Sequence, residues 1–136
     1  MDKYHTNSHG PDREALVRAY KHTLELAQAG SSVAYISTHT TNNVTSGLSA
    51  VLGNTGVKRL VKEKSLTVDG GVILYLQTEK IAPAISESGP VLAPYVSLQL
   101  ALAVLEDSRA STLVYVPWTE KELSTYLAAN GDSQEI

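Results

Sequence analysis

SSVAYISTHTTNNVTSGLSAVLG, residues 31–53, runs from an apolar segment through hydroxyl, imidazole and amide side chains and back to an apolar period. Val33 to Ser37 (VAYIS) has the length and β-rich composition of a buried strand. From Asn43 to Leu52, Val44, Leu48, Val51 and Leu52 share one helical face, and Gly53 ends the run. The residues between, Ser37, Thr38, His39, Thr40, Thr41, Asn42 and Asn43, admit two explanations. Thr41 or Asn43 acts as an N-cap, since Thr and Asn side chains accept from first-turn amides. The surplus polar residues belong to a ligand loop, because loops on α/β scaffolds often carry function.

The same alternation continues outward. Before the strand, Leu16, Ala19, Tyr20, Thr23, Leu24 and Ala27 predict a helix over residues 12–29, with Pro11 in its first position and Gly30 as its stop. Asp12 and Glu14 lie where the helix dipole favours acids. Beyond residue 53, Asn54-Thr55-Gly56 reads as a turn, and Val57, Leu60 and Val61 suit a short helix within residues 57–64. Leu66–Val68 is a short strand candidate, Asp69-Gly70-Gly71 a turn, and Val72–Gln77 the clearest strand. Pro83 and Gly89-Pro90 punctuate the connection to a third strand, Val91–Tyr95. Residues 97–108 (SLQLALAVLEDS) form a helix apolar enough to be packed on more than one side. A fourth strand, Leu113–Pro117, leads to Thr119 and Glu122 at capping-box spacing and to a helix whose apolar face is Leu123, Tyr126 and Leu127.

Short apolar strands alternating with helices predict a mostly parallel sheet covered on both faces. The expected architecture is α/β, a three-layer Rossmann-like sandwich with a mostly parallel sheet of about four or five strands. Residues 11–131 form the single domain. Residues 1–10 and 132–136, polar and without a period, are expected to be a flexible arm and tail.

Composition narrows the function classes. At 136 residues the chain suits one core, and with no cysteine it has neither disulfides, thiolate metal sites nor a cysteine nucleophile. The net charge of −3, with no basic block beyond KRLVKEK (58–64), argues against a broad nucleic-acid footprint. No apolar leader or membrane-length segment is read, so the expected location is cytoplasmic, with no membrane partner. Phe is absent while there are seven Tyr and one Trp. Their polar tips need partners when buried, which places some of these rings at surface or pocket edges.

In a parallel sheet the loops after the strands gather along one edge, where open α/β sheets bind ligands. Here that edge collects Thr38, His39, Thr40, Thr41 and Asn43; Thr78, Glu79 and Lys80; Tyr95 and Ser97; and Trp118, Thr119 and Glu120. The ligand-binding candidates are Thr38, His39, Thr40, Thr41, Asn43, Lys80, Tyr95 and Trp118. His39 is the catalytic candidate, a loop imidazole with no acidic partner legible in the spacing. The first-turn amides near Asn43 are expected to favour an anion, hence a phosphorylated or nucleotide-like ligand. The alternative for each is ordinary: capping for the hydroxyls, solvation for Glu79 and Lys80, packing for Tyr95 and Trp118. His5, His9 and His22 do not converge by spacing, and no metal site is read. G-x-G-x-x-G, the P-loop pattern and G-x-S-x-G are absent, so no cofactor is named. Asn43-Val44-Thr45 matches a glycosylation acceptor with nothing else pointing to secretion.

Two functions fit. One is an oligomeric interaction or regulatory module, with the helix at 97–108 as a contact between copies. The other is a small-molecule binding protein or enzyme that uses the strand-end loops for an anionic compound. Whether there is a reaction is left open.

Overall fold

Every residue of VAYIS is buried in the sheet, because both faces of that sheet are covered. The computed structural model describes residues 1–83 and 85–136. Its elements are β1 (Asp2–His5), α1 (Arg13–Gln28), β2 (Val33–Ser37), α2 (Thr41–Gly47), α3 (Ser49–Glu63), β3 (Ser65–Thr67), β4 (Ile73–Gln77), β5 (Gly89–Pro94), α4 (Leu98–Glu106), β6 (Ala110–Val116), α5 (Glu120–Ala129) and β7 (Gln134–Glu135). The sheet order is β3-β4-β2-β5-β6-β1-β7. All pairings are parallel except β3 with β4. The protein is thus an α/β three-layer sandwich of Rossmann-like type, with seven strands and five α-helices among the described residues.

Strand periodicity sorts the side chains between two cores. Ala34 and Ile36 of β2, Leu74 and Leu76 of β4, Leu92 of β5, and Val114 and Val116 of β6 meet Leu16 and Ala19 of α1, Val44 of α2 and Leu60 of α3. Val33 and Tyr35, Val91 and Ala93, and Leu113 and Tyr115 face the other way, toward Ala101 and Val104 of α4 and Tyr126 of α5. Each fully buried Leu or Val contributes roughly 1.5–3 kcal/mol of burial energy. Tyr35, Tyr115 and Tyr126 are fully buried, and each hydroxyl has a partner: the Glu87 carbonyl, the Val96 carbonyl and Ser133 Oγ.

The departures from the sequence reading have local causes. Asp12, not Pro11, opens α1: its side chain accepts from the Ala15 amide at 3.0 Å. The helix expected over residues 43–52 is divided at Leu48 between α2 and α3, and α3 does not end at Gly53 but kinks there, with φ +70°, a conformation that costs glycine little. Helix resumes through Asn54-Thr55-Gly56, expected to be a turn, because Val57 and Leu60 reach the core only from a helix.

The largest difference is at the ends. The segment 1–10, read as an arm, carries β1, which pairs with β6 from Asp2↔Thr112 to His5↔Tyr115. His5, Thr6 and Ser8 are buried. Residues 132–136, read as a tail, carry β7 against β1, and the Ile136 amide donates to the His5 carbonyl at 2.9 Å. β7 is the edge strand and β1 lies just inside it, both held by backbone pairing rather than by an apolar period of their own. Among the described residues, no helix is long and apolar enough to cross a membrane.

Candidate functional site

The chain leaves β2 toward β4 on one side and β5 toward β6 on the other. Their connections diverge, since α2 and α3 pack on one face of the sheet and α4 on the opposite face. Divergence opens a crevice beyond the carboxyl ends of β2 and β5, the position at which open α/β sheets hold ligands. A cavity of about 420 Å³ lies there. His39, Asn43 and Gly47 form its β2 side, Pro94, Tyr95 and Val96 its β5 side, and Pro11 and Trp118 its flank.

His39 bridges the crevice. The Ser97 amide donates to His39 Nε2 at 3.0 Å, so this nitrogen carries the lone pair and the proton sits on Nδ1. Nδ1 faces Glu79 Oε1 at 3.2 Å. The pair arises from register: Ser37 and Gln77 are opposite one another in β2 and β4, and His39 and Glu79 each lie two residues further along. The imidazole thereby ties the β2 loop, the β4 loop and the start of α4 together. Both ring nitrogens are engaged, so a general-base role for Nε2 requires release of the Ser97 amide.

Tyr95 and Trp118 form the aromatic side. Tyr95 follows Pro94 with φ +57°, a left-handed conformation rare for a bulky residue and concentrated at functional sites. This turn buries Val96 and leads to Ser97, whose amide meets His39. The Tyr95 hydroxyl donates to the Asp12 carbonyl at 3.0 Å. Burial, followed by the Asp12 charge, pushes this phenol above its ordinary titration range. The Tyr95 and Trp118 rings meet edge to face, 5.5 Å between centroids and 69° between planes, and Trp118 remains 46% exposed. A β-carbon on Gly47 would lie 3.6 Å from the Tyr95 ring, so this glycine gives the cavity its width on the α2 side.

The positive end of α4 is already furnished by the protein. The Ser97 amide is taken by His39, the Leu98 amide by Glu122 Oε2 at 2.9 Å, and the Leu100 amide by Ser97 Oγ at 3.3 Å. Glu122 Oε1 accepts from Thr119 Oγ1, which in turn accepts from the Glu122 amide. The capping-box motif is present, but its carboxylate spans two helices instead of returning to the Thr119 amide. Glu122 thus occupies a place that an anionic ligand would take at a helix start.

Of the sequence candidates, His39, Asn43, Tyr95 and Trp118 line the cavity. Thr38 is buried, and its hydroxyl donates to the Thr40 carbonyl at 3.0 Å. Thr40 is the N-cap of α2, and its amide and hydroxyl both donate to Asn43 Oδ1 at 3.0 Å. Thr41 opens α2 and is not among the cavity residues, and Lys80 is exposed beyond the turn at Thr78, also outside the cavity. Capping therefore accounts for the Thr40–Asn43 part of the polar run. Glu122, Ser97 and Gly47 matter to the site and were not among its sequence candidates. Glu79, read as a solvated charge, holds His39. Only strand register could have revealed it. Among the described residues, no group of three or more His, Asp or Glu is placed to hold a metal ion. No family model matches this chain, and comparison with curated proteins and with solved structures finds no match.

Proposed function

We propose that the protein binds a small molecule in the crevice beyond β2 and β5. The observation that carries this reading is the cavity of about 420 Å³ at the point where the strand order reverses. That volume falls within the roughly 300–1,000 Å³ of small-molecule sites. The exposed Trp118 ring and the left-handed Tyr95 support it, since an exposed indole and a strained backbone are both costly features for a surface without a ligand. Trp118 is the only tryptophan of the chain, so its fluorescence reports on this cavity directly. A metabolite-sized compound library is titrated against wild type and Gly47→Leu, which fills the cavity from α2. Compounds that shift Trp118 emission in wild type and not in Gly47→Leu support the reading. Equal responses in both proteins, or none in either, refute it.

A second reading concerns α4. Leu102 is 37% exposed and Ala103 is exposed beside it on a helix with no charged residue before Glu106. We propose that this face joins two copies of the chain, which is compatible with ligand binding. Light scattering over a concentration series tests it: wild type should associate and Leu102→Glu should not. A monomer at every concentration removes this reading.

A further inference from the structure

The charges around the crevice say which ligands it would accept. Among the described residues, no lysine or arginine lines the cavity, and Lys80, the cation expected there, lies outside it. Glu79, the acid on Nδ1 of His39, also lies outside the lining, and its side chain is 61% exposed. At the start of α4, the natural phosphate cradle at this crevice, the Ser97, Leu98 and Leu100 amides are taken by His39, Glu122 and Ser97. A phosphate entering here would find no cation in the lining and would have to displace protein groups from the amides at the start of α4. Withdrawing such an anion from water without a counter-charge or free donors is costly. The remaining surfaces are of a different kind. Tyr95 and Trp118 stand at 69° and make a corner of two ring planes. Asn43 keeps its amide oxygen on Thr40, which leaves its NH₂ as a donor to a ligand. The imidazole of His39 has both nitrogens engaged and presents its ring.

We propose that the crevice selects a flat, uncharged or cationic nitrogen heterocycle and rejects its phosphorylated counterpart. Such a ring stacks in the Tyr95–Trp118 corner, accepts from Asn43 and needs no counter-charge from the lining, and a cationic ring gains from the aromatic faces. This inference rests on the crevice being a ligand site, and it states the charge and shape of what enters.

The test is calorimetric titration with three probes: adenosine, adenosine monophosphate and the pyridinium cation 1-methylnicotinamide. The expected order is that adenosine and the cation bind, while the monophosphate binds at least about tenfold more weakly than adenosine. Trp118→Ala should weaken adenosine about tenfold, as loss of one stacking surface does. If the monophosphate binds as tightly as adenosine or more tightly, the charge selection is overturned while the crevice stands as a site. If none of the three binds while other compounds shift Trp118 in a Gly47-dependent way, the heterocycle assignment is overturned alone. If nothing binds at all, both readings fall together.

Discussion

Glu122 joins the starts of two helices, and the two ways of removing that join should differ in size. Its carboxylate accepts from the Leu98 amide of α4 at 2.9 Å and from Thr119 Oγ1 of the α5 cap at 3.0 Å. Glu122→Gln keeps a carbonyl acceptor at the same reach and removes the charge. What is lost is the attraction of an anion to two helix N-termini, about 0.3–1 kcal/mol each, so near 1 kcal/mol in all. Glu122→Ala removes the acceptor as well and leaves the half-buried Leu98 amide without its charged partner, a bond worth about 1.5–3 kcal/mol. Alanine returns a few tenths of a kcal/mol through helix propensity. The alanine variant should therefore lose about 2–3 kcal/mol and the glutamine variant about 1 kcal/mol. Urea unfolding followed by circular dichroism measures both, with an unchanged m-value confirming that the midpoint reports stability. In high salt the glutamine gap should shrink and the alanine gap should largely persist, because screening acts on the charge and not on the missing acceptor. Equal losses in the two variants would refute the bridge between α4 and α5. A loss below about 0.5 kcal/mol in Glu122→Ala would do the same, since that is the range of surface positions without such a role.

Three further outcomes follow from other parts of the fold. Burial of His5 lowers the pKa of its imidazole, against a smaller opposing pull from Glu135, so the unfolded chain takes up the proton first. Stability should then be independent of this group above its ordinary titration range near pH 6.5 and fall as the pH drops below it, and His5→Gln should flatten the pH 5–7 part of the stability curve. Gly89→Ala should cost about 1–3 kcal/mol by urea unfolding, because the added β-carbon would lie 2.3 Å from the Val33 carbonyl oxygen, a backbone atom that has no easy escape. Gly47→Ala should leave the fold intact or raise its stability by about 0.4–1 kcal/mol, since its helical conformation accepts a side chain and the new methyl would make an ordinary 3.6 Å contact with Tyr95.

Local pattern alone was enough for the central layer of this protein. VAYIS, the run at Val91 and the run at Leu113 are continuous apolar segments buried on both faces, and the run ending at Gln77 is apolar with one face buried and the other half-buried, patterns that are written within the strand itself. The Thr119–Glu122 spacing and the apolar faces of α1 and α5 were legible for the same reason: caps and helical periods are written within four residues. Alternating strands and helices then implied one shared loop edge, on which His39, Asn43, Tyr95 and Trp118 meet.

Tertiary structure decided everything that depends on which strand lies beside which. β1 and β7 have no apolar period, and their place comes from pairing at the sheet edge, an interaction between backbones that side-chain pattern does not encode. The strand order put the reversal between β2 and β5, and so chose one crevice from the whole edge. The register of β2 against β4 set Glu79 beside His39, and the packing of α5 beside α4 delivered the Glu122 carboxylate to a helix start 24 residues earlier in the chain. These contacts join residues far apart in sequence, so the candidate site's charge is a property of the folded chain: a rim that reads as suited to an anion becomes, once folded, a cavity with no cation among its described lining residues.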